Sequence, residues 1–116
     1  MKYIIAIIQP DRLNDVMDQL AQRDVQLVTV TQILGHGRQG GQAQVYRGHK
    51  EQGRLLRKMK LEIAVNEEFV QPTIDALTAG ARSVDGGAIG DGKIFVLDLQ
   101  EVIRIRTGET GSGAIG

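Results

Sequence analysis

Along the chain, hydrophobic residues follow either the pattern of a strand or the pattern of a helix. The order in which these patterns occur predicts a strand–helix–strand unit near the start. Lys2–Ile8 is a continuous apolar run rich in isoleucine, which predicts a buried strand that Pro10 ends. Asp11 is a candidate helix cap, and the apolar residues from there to about Arg23 recur at helical spacing. Alternation over residues 25–34 then predicts a long second strand with both faces partly covered.

The same order of elements begins again after a polar stretch. Residues 59–65 alternate apolar and polar side chains, which predicts a strand with one polar face. Asn66 is a candidate cap for the helix that follows. Because Pro72 is tolerated only near the first turn of a helix, we expect this helix to begin nearer Val70 than Glu67.

Two further strands are predicted at the end of the chain. Residues 94–99 form a β-branched and apolar run, and residues 102–106 alternate apolar and basic side chains, so we expect the second to be a short extra strand. The order is then β-α-β-β-α-β, with a long loop between the second and third strands. This order predicts an α+β, ferredoxin-like fold in one domain over residues 1–116. The fold alone does not specify a function.

Composition removes several classes of function. The net charge is zero, so no global field attracts nucleic acid or a membrane. The absence of cysteine excludes disulfides, thiol catalysis and cysteine-ligated metal, and fits a reducing compartment. The apolar first residues are too short for a signal peptide or a membrane span, so we expect a cytoplasmic protein. A small core and 15 glycines favour an oligomer over a lone protomer.

The glycine-rich stretch from Gly86 to Lys93 carries the clearest candidate chemistry. It contains four glycines, one acid and one lysine. Glycines allow positive φ and close backbone approach, so several N–H groups can turn onto one anion. Lys93 adds a positive charge, and Arg104 and Arg106 would project from one face of the predicted last strand. These residue types together suit a polyphosphate.

Two other glycine motifs match the sequence, and each is tested by the secondary structure predicted to follow it. Gly87–Lys93 matches G-x-x-x-x-G-K, but a P-loop needs Ser or Thr and then a helix, and Ile94 opens a predicted strand instead. Gly35, Gly37 and Gly40 match G-x-G-x-x-G, but no helix is predicted to open there. The simplest alternative is a flexible glycine turn between a helix and a strand.

Several segments resemble one family, the PII signal-transduction proteins, over nearly the whole chain. In chain order they are Ile7–Pro10, Gly35–Gln39, Tyr46–Gly48, Lys58–Glu62, Gly90–Val96 and Val102–Glu109. The last two form a specific signature, far stronger than a single glycine pattern. The resemblance implies a homotrimer with three clefts between protomers, each of which binds an adenine nucleotide: ADP, ATP or AMP, with magnesium where it is ATP. It also implies a regulator that is not an enzyme and has no catalytic residues.

The resemblance assigns three segments: a T-loop over residues 36–56, a B-loop over 82–93 and a C-terminal segment over 104–116. The T-loop is expected to report the ligand state to a target protein, a transporter or an enzyme, and to be disordered or variable over residues 38–55 without ligand. The implied nucleotide-binding residues are Thr29, Gly37, Arg38, Gln39, Glu62, Ala64, Gly90, Asp91, Gly92, Lys93, Arg104 and Arg106. In this set the two arginines reach the phosphates from the neighbouring protomer, and Thr29, Glu62 and Ala64 enclose adenine and ribose.

A small anionic effector is expected beside the nucleotide, because free backbone N–H groups and a lysine suit a compact oxyanion. The residues concerned are Gln39, Gly40, Gly41, Gln42 and Lys58. Glu51 stands where enteric-type members carry a uridylylated tyrosine, which rules out modification at that residue, and the B-loop is longer through residues 83–87. These departures favour a divergent PII-like member, of the carboxysome-associated subgroup that responds to bicarbonate. The alternative is a nitrogen-regulatory protein that senses MgATP and 2-oxoglutarate.

Two other classes of protein fit less well. An enzyme that hydrolyses the nucleotide would need a general base near the phosphates, and Asp91 suits the geometry of the loop better than catalysis. An RNA-binding module with this fold needs exposed aromatic side chains on the sheet. Tyr3, Tyr46, Phe69 and Phe95 are too few and are expected on the wrong segments.

Overall fold

The computed structural model of the chain describes residues 1–37, 45–46, 49–50, 54–84 and 86–116. In chain order the strands and α-helices are β1 Lys2–Ile8, α1 Leu13–Gln22, β2 Thr29–Gly35, β3 Val45–Tyr46, β4 His49–Lys50, β5 Leu56–Val65, α2 Val70–Ala81 and β6 Gly92–Asp98. Short 3-10 turns at Pro10–Arg12 and Glu67–Phe69 lead into the two helices, and a third covers Ser112–Ala114.

The four long strands form one antiparallel sheet in the order β2-β5-β1-β6. In this order β5 lies between β1 and β2, which are joined by α1, and the arrangement is the split βαβ pattern. The predicted ferredoxin-like α+β fold is therefore confirmed. The small strands β3 and β4, inside the long connection between β2 and β5, pair with each other and with no other strand that the structure describes.

The helices cover one face of the sheet. Ile4, Ala6 and Ile8 alternate along β1 and are buried, because the period of two in a strand sends them all to the helix side. Their neighbours in the hydrophobic core come from β5 and from both helices: Leu61, Ile63, Val16, Leu20 and Leu77. Gly80 brings the helices close together, since a Cβ there would lie 2.5 Å from the Cα of Val16.

The opposite face of the sheet, called here the open face, carries no element of the described chain. On β1 it presents Tyr3, Ile5 and Ile7, whose cross-strand partners on β6 are Leu97, Phe95 and Lys93. Phe95 and Leu97 remain 47% and 45% exposed. The expectation that the aromatic residues lie on the wrong segments was therefore incorrect for Tyr3 and Phe95, although aromatic residues are as few as the sequence shows.

Several element boundaries differ from the expectation. β2 begins at Thr29 and not near Val25, so the alternation of residues 25–28 belongs to irregular chain. β5 begins at Leu56, three residues before the predicted start. α2 begins at Val70 as predicted, with Pro72 in its first turn.

Neither predicted helix cap makes a side-chain capping bond. Asp11 lies inside the first 3-10 turn, whose N-cap residue is Gln9. Asn66 does precede the second 3-10 turn, but its side chain donates elsewhere, to the carbonyl of Ser112 at 3.1 Å. The 3-10 turns place the first residues of each helix without a capping side chain.

Candidate functional site

The glycine loop, residues 86–92, connects α2 to β6. Since Gly92–Asp98 is a strand, no helix follows the G-x-x-x-x-G-K match, and the P-loop interpretation fails. Gly86, Gly87, Gly90 and Gly92 all have positive φ, between 87° and 122°. Only glycine adopts such angles without strain, so the sequence of the loop sets its shape.

Asp91 closes this loop through its carboxylate. Oδ2 accepts hydrogen bonds from the backbone N–H groups of Ser83 at 3.0 Å and Ala88 at 2.9 Å, and Oδ1 accepts one from the Ser83 hydroxyl. The hydrogen bond from the Ser83 hydroxyl, followed by those from the two N–H groups, lowers the pKa of Asp91 below its usual range. The carboxylate is therefore committed to loop geometry, as its position in the sequence suggested.

The end of the loop lies directly against β1. A Cβ at Gly92 would come within 2.0 Å of the carbonyl oxygen of Ile7, so no other residue fits at this position. Gln9 Nε2 also donates to the carbonyl of Gly90 at 2.7 Å. Gln9 was not among the predicted site residues, although its position between the first strand and Pro10 could have indicated it.

Lys93 follows the loop and is exposed. It lies opposite Ile7 on the open face of the sheet, and Lys60 lies opposite Ile7 on the other side. Within the described ranges the Lys93 ammonium group makes no hydrogen bond or ion pair, and the nearby Asp91 carboxylate is bonded inside the loop. On the helix side of the same loop is a cleft of about 590 Å³ whose walls include Ile8, Leu77 and Ala81.

The residues expected around adenine and ribose share the open face. Thr29 and Glu62 are direct cross-strand partners, and Ala64 lies two residues further along β5. The structure adds Tyr3, the partner of Ala64, whose hydroxyl donates to Glu62 Oε2. Lys60 Nζ lies 3.7 Å from Glu62 Oε1. The Glu62 carboxylate is therefore held from two sides, and the period of two in β1 was the signal that places Tyr3 on this face.

Part of the expected effector site is described. Lys58 lies opposite Ile33 on the same face as Lys60, and its side chain passes over Gly35, since a Cβ there would be 3.6 Å from Lys58 Cγ. Gly37 follows the end of β2 and is exposed. The remaining residues proposed for the T-loop base and the effector lie outside the described residues: Arg38, Gln39, Gly40, Gly41 and Gln42.

The two arginines do not lie on a strand, and this prediction was wrong. Residues 102–106 make one isolated β-bridge, between Ile103 and Thr110, and then turn. Arg104 Nη1 donates to Glu109 Oε2 at 2.8 Å, and Nη2 donates to the carbonyls of Gly113 and Gly116. Arg106 is exposed and, in the described part of the chain, has no hydrogen-bond or ion-pair partner.

The glycine loop and the arginines lie at opposite ends of β6. Gly92 is level with Ile8, and Asp98 is level with Lys2. The segment that carries Arg104 is attached at the Lys2 end, where Ser112 accepts the hydrogen bond from Asn66. Six strand steps of ~3.3 Å, about 20 Å in all, separate the two ends of β6. One protomer therefore does not bring its own loop and arginines to one phosphate chain.

The described ranges contain no group of three or more His, Cys, Asp or Glu side chains arranged to hold a metal ion. Among the helices in those ranges, none combines the length and the apolar character needed to cross a bilayer.

Comparison with known proteins identifies the family. The family described as Nitrogen regulatory protein P-II matches residues 1–109. The chain is similar to Nitrogen regulatory protein GlnK1 of Methanosarcina mazei, with 50% identity over 99% of this chain and 97% of that protein. It is also similar to Nitrogen regulatory protein P-II of Rhizobium etli (44%) and Nitrogen regulatory protein P-II 1 of Escherichia coli K12 (45%), each over 99% of this chain and 100% of the relative. The chain therefore belongs to the P-II family, and it is a regulatory signalling protein rather than an enzyme.

Proposed function

We propose that this protein is a trimeric regulator that binds an adenine nucleotide between protomers and reports the bound ligand to a target protein through residues 36–56. The observation that carries this proposal is the separation of the glycine loop and the arginines along β6. A cyclic assembly joins the loop end of one protomer to the arginine end of the next, and thereby completes three equivalent sites.

The open face supports the assembly part of the proposal. It presents Ile5, Phe95 and Leu97 without a covering element in the described chain, and Ile105 beyond the sheet is 99% exposed. Apolar surface of this extent favours association, since burying it releases about 25 cal/mol per Å². The expected trimer should persist without ligand, and nucleotide should stabilise it by linkage. Light scattering that gives a monomer with and without ADP would contradict this.

The glycine loop has the chemistry for phosphate. Its positive-φ glycines leave backbone N–H groups accessible, and Lys93 offers an ammonium group that no described carboxylate neutralises. Asp91 supports this role indirectly, because its hydrogen bonds to the Ser83 and Ala88 N–H groups hold the loop shape. We assign the phosphates to Gly90, Gly92 and Lys93 of one protomer and to Arg106, joined by Arg104, of the next.

The base and ribose are assigned to the open face near Glu62. Thr29 and Glu62 are adjacent across two strands, and Ala64 provides a small side chain beside them. Tyr3 fixes the carboxylate of Glu62 by its hydroxyl hydrogen bond. A polar edge next to a small apolar position suits a flat heterocycle with hydrogen-bonding groups on its rim.

The effector stays a choice between two anions. Lys58 gives positive charge near the base of the T-loop and suits either bicarbonate or 2-oxoglutarate. The names of the relatives support the nitrogen-regulatory alternative at least as well as the bicarbonate hypothesis. A cytoplasmic location and a transporter or enzyme as target also belong to the proposal.

Isothermal titration calorimetry tests the binding proposal and separates the two effectors. ADP, ATP and AMP are titrated into the protein with or without magnesium, and each titration is repeated with bicarbonate or 2-oxoglutarate. If both ligands order the same loop, they bind cooperatively. Tighter ADP binding with bicarbonate indicates a carbon signal, whereas 2-oxoglutarate binding only with MgATP indicates a nitrogen signal. Absence of binding of all three nucleotides would contradict the proposed function.

A further inference from the structure

Arg104 is already bonded to its own chain in the structure. Three of its guanidinium hydrogen bonds go to acceptors within twelve residues: the Glu109 carboxylate and the carbonyls of Gly113 and Gly116. The backbone reinforces this arrangement, since Arg104 N–H donates to the Glu109 carbonyl at 2.8 Å and Gly108 N–H donates to the Arg104 carbonyl at 2.7 Å. We call Arg104, Glu109, Gly113 and Gly116 the Arg104 cluster.

The cluster is attached to the rest of the fold. Gly111 N–H donates to the Val102 carbonyl at 3.0 Å and to Glu101 Oε1 at 3.0 Å. Asn66 Nδ2 donates to the Ser112 carbonyl, and Ala114 is 8% exposed. Glu109 is therefore presented to Arg104 by an ordered turn.

The acceptors in the cluster are of the kind that a phosphate would offer. A guanidinium group binds carboxylate and phosphate through the same planar fork of N–H donors. Nη1 and Nη2 are both bonded within the cluster, so a phosphate that takes this pair of groups together must displace Glu109 and the carbonyls. Arg106 has no such competitor among the described residues and is exposed.

We propose that Glu109 is a built-in competitor for the phosphate-binding face of Arg104, so that nucleotide binding must displace the Glu109 carboxylate. This inference rests on the proposed nucleotide site and names how that site is regulated. In the ligand-free protomer Arg104 is closed onto Glu109. In the bound state it opens toward the phosphates of the ligand held by the neighbouring glycine loop, and the turn over residues 109–116 loses its bond to the arginine.

The expected effect on affinity follows from the population of the open state. When only a fraction of the protein is competent to bind, the apparent dissociation constant rises by the inverse of that fraction. If the closed state predominates about fourfold, its removal tightens ADP binding by about fivefold. A contact with a purely structural role predicts the opposite, because weakening it would loosen the segment that carries both arginines.

Two variants open the cluster by different means. Glu109→Gln removes the charge and keeps the size of the side chain. Gly113→Ala keeps the charge but places a Cβ 2.6 Å from Glu109 Oε1, which the flexible carboxylate avoids by moving away from Arg104. The matched control is Glu101→Gln, which removes one negative charge from the same segment at a residue that bonds the N–H groups of Val102 and Gly111 and not Arg104.

Calorimetric titration with ADP, on variants whose trimer and thermal unfolding match the parent protein, tests the inference. We expect tighter binding by about fivefold in Glu109→Gln, a smaller gain in Gly113→Ala and no gain in Glu101→Gln. Should Glu109→Gln not fold, Gly113→Ala decides. Unchanged or weaker binding in the cluster variants, or an equal gain in Glu101→Gln, overturns the inference and leaves the proposed function in place. If neither the parent nor any variant binds ADP, the proposed function itself fails.

Discussion

Two glycine-rich segments, the glycine loop over residues 86–92 and the segment over residues 101–116, each arrange hydrogen bonds around one charged side chain. In the loop the central group is an acid, Asp91, which accepts bonds within the loop, and the Lys93 side chain has no partner among the described residues. In the later segment the central group is a base, Arg104, and Glu109 occupies it. Among the described residues, the lysine that follows the loop is therefore unpaired, whereas the arginine of the later segment is paired with a carboxylate of its own segment.

The type of a basic residue and its availability to a ligand are therefore separate properties, and the two segments differ in the second. Both segments contain the glycines and basic side chains that suit a polyphosphate. Whether a basic group is available depends on which local acceptors the turn presents to it, and this follows from the path of the backbone.

Glycine is required for different reasons in the two segments. Gly92 combines φ of 122° with a Cβ position 2.0 Å from the Ile7 carbonyl, whereas Gly111 has φ of 81° and open space around it. Gly92→Ala should lower the free energy of unfolding by about 3 kcal/mol or more, since strain adds to overlap. Gly111→Ala should lower it by less, about 1–3 kcal/mol, from the strain of its backbone conformation (φ 81°, ψ −157°) alone. Urea unfolding at fixed protein concentration measures both, and equal losses would contradict the comparison.

Arg104 and Arg106 should contribute differently to ADP binding and to thermal stability, although they are two residues apart. Arg106→Ala should weaken ADP binding by about 1.5–3 kcal/mol, the range for charge-assisted hydrogen bonds, and should leave thermal stability unchanged because Arg106 has no described partner. Arg104→Ala should weaken binding less, because the parent must first break the Glu109 bond, and should lower stability. Calorimetry measures the ADP affinity of both variants, and thermal unfolding measures their stability. A larger binding loss for Arg104→Ala would contradict the closed state of the cluster.

The double variant of both arginines should lose a few kcal/mol of binding free energy, without strict additivity. Unchanged affinity in that variant would remove both residues from the site.

The carboxylate of Asp91 should make the free energy of unfolding depend on pH in the acid range. Its pKa is lowered in the folded protein by the Ser83 and Ala88 hydrogen bonds. The stability it contributes is therefore complete above its ordinary pKa of about 4 and is lost as the pH falls through the lowered value. Urea unfolding from pH 7 to pH 3 should show the gap between the parent and Asp91→Ala shrinking below about pH 4. Ser83→Ala should show a smaller gap, and a gap independent of pH would contradict the assignment.

The smallest effect is expected at Tyr3. Tyr3→Phe keeps the ring and removes only the hydroxyl that bonds Glu62. A net hydrogen bond of this kind is worth about 1 kcal/mol, so ADP affinity should fall by no more than about fivefold. Parallel titrations of the parent and Tyr3→Phe measure the difference. Identical affinity and identical stability would mean that the bond does not hold Glu62 for the ligand.

Much of the fold was readable from local pattern. β1 was predicted with its observed bounds because its apolar run is continuous and Pro10 follows it. The start of α2 at Val70 was predictable because Pro72 can lie only in a first turn. The family signature in Gly90–Val96 and Val102–Glu109 led to the family that the comparisons confirm.

The parts of the fold and of the site that were not predicted depend on contacts that the local sequence pattern does not reveal. Residues 102–106 alternate like a strand, but Gly108 and Gly111 take positive φ and turn the chain back, so that Ile103 meets Thr110. The closure of Arg104 by Glu109 follows from that turn. In the same way the bond from Tyr3 to Glu62 depends on the register of β1 against β5, which sequence periodicity leaves undetermined.

The central claim, that each nucleotide site combines the loop of one protomer with the arginines of another, is tested by mixing two defective chains. Lys93→Ala and Arg106→Ala are each expected to lose tight ADP binding as homotrimers. In trimers assembled from equal amounts of both, about one quarter of the interfaces pair an intact loop with an intact arginine if mixing is random. Calorimetry of the mixed trimers should therefore recover tight binding in about a quarter of the sites. Recovery in none of them would show that loop and arginine act within one chain and would contradict the account.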